Sequence, residues 1–282
     1  MLQGVICAIG LEYQAVLGRM DRPESSEAES GFPIARGLME GVHTVVICSG
    51  TGKAAAAAAT QLLLERYHPD LVMNPGIAGA LVPGLGVGDV VVAERLCQGD
   101  VGVIHSRGFA HTGAAVYASA GANCVREYLA DPGLVDAARR AVAGEGGSPS
   151  LPSTWFGGIV TCDQVVTAPE VREELGRVFN SLAVEMEGAA VAHVAMLHQV
   201  PFAVVRGISD TVDFDLVGLE ELMSYQGESR TACWARRAKF AAVHPDRIER
   251  ARQLGRASTR ACESALNTGC AMLRLYREGG CR

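Results

Sequence analysis

At 282 residues the chain is long enough for one sizeable domain and too short for more than two small ones, because single hydrophobic cores stop growing near ~250–300 residues. It is 49% hydrophobic but only 5% aromatic, with a mean hydropathy of +0.17. A core must therefore be assembled from Ala, Val, Leu and Ile, the recipe of an α/β protein with buried strands, and the net charge of −6 without a long Lys/Arg run excludes an electrostatic footprint for nucleic acid.

Short apolar runs alternate with helical patterns along the chain, which predicts βαβ units and a central mixed, largely parallel sheet flanked by helices. The first strand is expected at Gly4–Ile9 and the first helix at Glu12–Met20, followed by an acidic, Ser-rich surface loop at Asp21–Gly31. A strand at Thr44–Cys48 leads into a helix at Ala54–Arg66, whose Ala54–Ala59 run is small enough to pack closely on its neighbours. Strands follow at Leu71–Asn74 and Asp89–Ala93, a loop at Gly144–Ser153 and a strand at Gly158–Thr161. Helices are expected at Pro169–Phe179, with Pro169 suited to a first turn, and at Glu187–His198, then a strand at Phe202–Arg206. Residues from about Phe214 to Ala257 read as a polar insertion holding Trp234, Arg236, Arg237 and Lys239, before a final amphipathic helix at Ser258–Tyr276. No internal repeat is visible.

Nine cysteines scattered without a CxxC pair point to reduced thiols in a cytoplasmic protein rather than to a disulfide framework or a metal site. The start, Met1-Leu2-Gln3-Gly4, lacks the features of a signal peptide, and no apolar run reaches ~18 residues, so neither export nor a membrane is expected.

Four segments could carry chemistry. Ser49-Gly50-Thr51-Gly52-Lys53 follows a strand and opens a helix, where backbone N–H groups attract anions or a polarised water; a plain tight turn explains it equally well, and Lys53 is expected to face solvent. Asn74-Pro75-Gly76-Ile77-Ala78-Gly79 lies where open α/β sheets place ligands, though a strand-to-helix connection would need the same glycines. Val184-Glu185-Met186-Glu187-Gly188-Ala189-Ala190 sets two carboxylates in apolar surroundings at a strand end. Val204-Val205-Arg206-Gly207-Ile208-Ser209-Asp210 ends a strong strand in polar groups, with helix capping by Ser209 or Asp210 as the alternative. His105 and His111 are expected in loops without a role.

In this order the segments from about Gly4 to Asp213 resemble the nucleoside phosphorylase/hydrolase superfamily, most closely 5′-methylthioadenosine/S-adenosylhomocysteine nucleosidases and, in part, futalosine hydrolases. The specific element is Val-Glu-Met-Glu followed about twenty residues later by Arg-Gly-Ile-Ser-Asp. The resemblance implies one three-layer nucleoside phosphorylase-like domain over residues 1–282 with an insertion at about 214–257, and an N-ribosyl hydrolase of purine nucleosides that needs no cofactor and no metal. It implies Asp210 as the general acid toward purine N7, Ser209 as its orienting group and Arg206 as its supporting partner. Glu12, at the end of the first strand, is implied to activate water. Glu187 would grip the ribose hydroxyls with Met186 against the sugar and Glu185 beside them, while Val165 and Val166 meet the base, Val165 standing where an aromatic is expected. Ile77, Ala78 and Gly79 would line the substrate, and Ser49, Gly50, Thr51 and Gly52 would form a nucleophile or anion loop.

Phosphorylases of the superfamily carry an arginine at about Asn74 and a serine at Ile77, so water is the expected nucleophile. Asp210 tilts the substrate toward 6-amino purines, because a carboxylate accepts a hydrogen bond from the amino group; Gln98-Gly99-Asp100-Val101-Gly102-Val103 and Met186–Ala190 lean instead toward futalosine hydrolases, which prefer Asn at the Asp210 position. Futalosine or aminodeoxyfutalosine hydrolysis, purine nucleoside phosphorolysis and a non-catalytic nucleoside binder are the alternatives. A homo-oligomer, a dimer first, and a small-molecule nucleoside are the expected partners.

Overall fold

The structure is a computed structural model and describes residues 1–28, 30–118, 121–145, 150–214, 218–219, 235, 239–240 and 242–279. Its order is β1 (Leu2–Cys7), α1 (Gly10–Leu17), β2 (Met20–Glu27), β3 (Pro33–Met39), β4 (Val42–Cys48), α2 (Lys53–Tyr67), β5 (Leu71–Ala80) and β6 (Val90–Gln98). There follow β7 (Gly102–His105), β8 (Gly108–His111), β9 (Ala114–Ala118), β10 (Gly121–Val125), β11 (Tyr128–Leu129), α3 (Pro132–Val142) and β12 (Thr154–Thr161). The chain ends with α4 (Pro169–Phe179), β13 (Ser181–Glu185), α5 (Gly188–Leu197), β14 (Phe202–Asp210) and α6 (Ile248–Gly279).

One mixed sheet organises the molecule, in the order β11-β6-β12-β13-β5-β1-β4-β3-β2, with β14 paired to both β5 and β6. Strands β6, β12, β13, β5 and β14 therefore pair around a closed ring, β13 meeting β5 antiparallel only at Gly79 and Ala80. Closure of this kind removes two exposed edges and draws the strand ends together. Helices α2 and α5 cover one face through Ala56, Ala59, Leu63 and the Ala189–Ala195 stretch. The other face is covered by α1, α3 and α6 through Val16, Leu134, Ala138, Leu266 and Met272. Small side chains on both helix layers let them lie close to the sheet, as the aromatic-poor composition requires.

Several expectations are corrected. Asp21–Gly31 is not a loop, since β2 occupies Met20–Glu27. As an edge strand paired only to β3, with every residue after Met20 exposed, it has no buried face to produce alternation. Strand β5 does not end at Asn74 but runs through Pro75 and Gly76 to Ala80. Among the described residues the final helix begins at Ile248 rather than Ser258, because the polar first turns that read as insertion are its solvated start. His105 and His111 end the two strands of an exposed hairpin. Trp234, Arg236 and Arg237 lie outside the described residues, as does half of the 214–257 insertion.

Candidate active site

The polar residues singled out in the sequence converge at the carboxyl ends of the strands, where α/β sheets bind ligands. The turn after β1 leads to Glu12 on α1, that after β4 supplies Ser49–Gly52, and β5 carries Asn74–Gly79. Glu185 ends β13, Glu187 precedes α5, and β14 carries Arg206, Ser209 and Asp210.

One cluster is built around Arg206, which is fully buried. Its Nη2 donates to Asn74 Oδ1 at 2.7 Å and to Glu185 Oε2, and lies 3.9 Å from Glu187 Oε2. Asn74 is held in that orientation by donating to Ile6 O at 2.8 Å. Glu185 is satisfied inside the protein, accepting from the Thr161 hydroxyl and from the N–H groups of Glu187 at 2.9 Å and Gly188 at 2.7 Å. Its remaining role is that of a counter-charge, and Glu187 in front of it is the carboxylate with spare acceptor capacity.

Glu12 enters the same cluster from the opposite side. Its Oε2 accepts from the N–H groups of Ala8 at 2.8 Å and Ile9 at 3.3 Å, and its Oε1 from Ile77 N–H at 3.1 Å. Gly76 makes the approach possible, since a Cβ there would stand 2.1 Å from Arg206 Nη1 and 2.5 Å from Glu12 Oε1. Burial raises the Glu12 carboxyl above its usual range, with Arg206 and the three N–H groups pulling the other way. Burial, then the neighbouring Glu185, raises Glu187 as well against the pull of Arg206. Three carboxylates thus share one guanidinium in a water-poor setting, an arrangement that favours holding a proton near neutral pH.

A second cluster surrounds Asp210. Ser209 Oγ donates to Asp210 Oδ1 at 2.6 Å, which fixes the carboxyl's plane. The cation beside it is not Arg206, and the expected pairing of those two is corrected. Four residues of extended strand, at about 3.3 Å each, separate them by about 13 Å, and Arg206 is already committed to β5 and β13. Arg172 on α4 stands there instead, its Nη2 2.6 Å from Asp210 Oδ2, off the line of a hydrogen bond. Arg172 carried no signal in the sequence, since it sits among Glu170, Glu173, Glu174 and Arg177 on a helix that reads as a charged surface.

The Ser49–Gly52 loop does bind anions, but they are the protein's own. At the start of α2, Gly52 adopts φ +93° and donates to Glu187 Oε1 at 2.8 Å. The next N–H, that of Lys53, donates to Asp163 Oδ1 at 2.8 Å. The Lys53 ammonium, expected in solvent, is mostly buried against Asp100 and lies 3.6 Å from Asp163 Oδ2. Although burial alone would raise it, Lys53 holds the Asp100 carboxyl below its usual range. The Ser49 hydroxyl turns inward, within reach of Gly50 O at 2.7 Å and Cys7 O at 3.3 Å.

The remaining positions divide by exposure. Ile77, Gly79 and Met186 are partly exposed and Ala78 is buried, while Val165 is half exposed and Val166 packs beside Leu81 and Val184. Among the described residues no group of three or more His, Cys, Asp or Glu could hold a metal ion. No described helix is long and apolar enough to cross a membrane.

A ring-closed mixed sheet with acids and an arginine gathered at its carboxyl ends is the architecture of the phosphorylase superfamily, to which the chain belongs: the family model matches residues 3–241. Within it the chain is similar to the 5′-methylthioadenosine/S-adenosylhomocysteine nucleosidase of Shewanella loihica, with 34% identity over 219 residues, 75% of this chain and 90% of that protein. The Neisseria meningitidis 5′-methylthioadenosine/S-adenosylhomocysteine nucleosidase, solved in complex with methylthio-immucillin-A, shares the fold with a TM-score of 0.73 at 24% identity, covering 97% of this chain and 98% of that one. The futalosine hydrolase of Helicobacter pylori shares it with a TM-score of 0.69 at 21% identity, covering 99% and 98%.

Proposed function

We propose that the protein is an N-glycosidase that hydrolyses 5′-methylthioadenosine/S-adenosylhomocysteine-type nucleosides to adenine and the thioribose. The observation that carries this reading is the distribution of charge. Where a phosphorylase must hold phosphate, this protein places Glu12 and Glu187 and spends the Gly52 and Lys53 N–H groups on carboxylates. A dianion brought there would meet like charge, and among the described residues the nearby cations Lys53, Arg172 and Arg206 are already committed to carboxylates.

In the reaction, a water oxygen bonds to the anomeric carbon and gives a proton to Glu12, while the bond to purine N9 breaks and Asp210 delivers a proton to N7. Proton transfer of this kind contributes ~10²–10⁴ in rate. Ser209 orients the acid. Glu187 grips the ribose 2′- and 3′-hydroxyls with Met186 against the sugar, through hydrogen bonds that strengthen as the sugar acquires oxocarbenium character. Arg206 keeps Glu185 and Glu187 in place, and Ile77, Ala78, Gly79, Val165 and Val166 surround the substrate.

A 6-oxo nucleoside of the futalosine type is the second reading. The Gln98–Val103 and Met186–Ala190 segments, which lean toward futalosine hydrolases, support it. The exposed hairpin residues Val103, Ile104 and Phe109 support a homo-oligomer, a dimer first, and the free thiols among the described cysteines are consistent with the cytoplasm. The test is base release from methylthioadenosine, S-adenosylhomocysteine, futalosine and inosine by purified protein. Adenine from the first two supports the proposal, hypoxanthine from futalosine alone supports the second reading, and tight binding of all four without turnover refutes both.

A further inference from the structure

With Arg206, Arg172 is one of the two arginines among the largest fully buried side chains described, and nothing in the chemistry above uses it. Burying a guanidinium is costly unless its donors are met, and here each nitrogen has a distinct task. Nε donates to Val166 O at 2.9 Å, Nη1 donates to Thr211 O at 2.8 Å, and Nη2 stands 2.6 Å from Asp210 Oδ2. One cation therefore ties together the chain between β12 and α4, the chain just beyond β14, and the acid between them. Oδ1 is held by Ser209 on the same strand, and Oδ2 is faced by Arg172 from α4.

The other groups near this end of β14 do not duplicate Arg172. Strand β5 brings Ala78 and Gly79, which carry no charge, and Asp213 lies exposed beyond the strand. Arg206 on β14 is taken up by Glu185, with Glu12 and Glu187 around it. Among the described residues no other cation lies within 4 Å of Asp210.

We propose that Arg172 is a positioning residue that fixes the orientation of the Asp210 carboxyl and ties the acid to the Val166 segment facing the base. The proposal rests on the reading of Asp210 as the acid. Any displacement of the Arg172 guanidinium would move the Asp210 carboxyl and, through Nε, the Val166 carbonyl together.

The experiment is ¹³C NMR of the Asp210 carboxyl carbon at one fixed pH, assigned by its loss in Asp210→Asn, in wild type, Arg172→Gln and Arg172→Lys, with kcat and KM measured alongside. We expect Arg172→Gln to move that resonance and to lower kcat by about tenfold or more with little change in KM, because the acid loses the group that orients it. Arg172→Lys recovers part of kcat while KM rises through loss of the Val166 and Thr211 bonds. A resonance and a kcat both unchanged in Arg172→Gln overturn the proposal. Where the glutamine variant does not fold, a lysine variant whose resonance, kcat and KM all match wild type overturns it as well. The resonance needs no turnover, so a wild type that releases no base refutes the hydrolase reading, and an unmoved resonance refutes the role of Arg172.

Discussion

Glu187→Gln removes a charge and keeps the side chain's shape, and its effect on stability has a definite sign. In the folded protein the Glu187 carboxyl is raised from 4.5 to about 8, by burial first and then by Glu185. A group raised on folding contributes stability that is fully present below the unfolded value and is lost as pH rises through the folded value. The loss for Glu187 therefore runs from about pH 4.5 to about pH 8. At ~1.4 kcal/mol per unit the whole shift amounts to about 5 kcal/mol. Glutamine also gives up attraction to Arg206 and leaves Gly52 N–H a weaker acceptor, so we expect a net gain of about 1–3 kcal/mol at pH 8 and none at pH 4.5. For a chain of this size that is a rise of roughly 2–4 °C in Tm per kcal/mol. Thermal unfolding of both proteins across this range measures it. Parallel Tm curves, or a variant that loses ground to wild type as pH rises, would refute the account of the carboxylate cluster.

Other expectations follow from the same geometry. Asp210→Asn keeps the shape but cannot give up a proton, so kcat for adenine release should fall by ~10²–10⁴. Glu12→Gln should lower kcat by a similar factor with little change in KM, measured by adenine release, because its partners are backbone N–H groups and its proposed task is to take a proton from water. Gly76→Ala forces a methyl group against Arg206 and Glu12 and should cost about 1–3 kcal/mol of stability by denaturant unfolding, together with most of the activity.

What the sequence revealed and what it hid have physical reasons. Strands β1, β4 and β14 and helix α4 were legible because their apolar runs are buried and bounded by Gly, Pro or polar residues. Glu187 was legible as an acid in apolar surroundings at a strand end and Asp210 as a polar group ending a strong strand, while Glu12 was reached only through the family resemblance; the structure brings Glu12 and Glu187 to one arginine. Strand β5 was cut short at Asn74 because Pro75-Gly76 punctuates like a turn, whereas ring closure with β13 and β14 carries the strand onward. Edge strand β2 has no buried face to announce it. Arg172 and the Lys53–Asp100 pair were hidden for a common reason: local sequence marks a charge but not the distant segment that buries it, and their partners lie 38 and 47 residues away along the chain.

The most direct test of the central claim is the mass of the sugar formed from 5′-methylthioadenosine by the purified protein in phosphate buffer. We expect free 5-methylthioribose, at a rate independent of phosphate concentration. A 1-phosphorylated sugar, or a rate that rises with phosphate, would contradict the claim that Glu12 and Glu187 reserve this site for water.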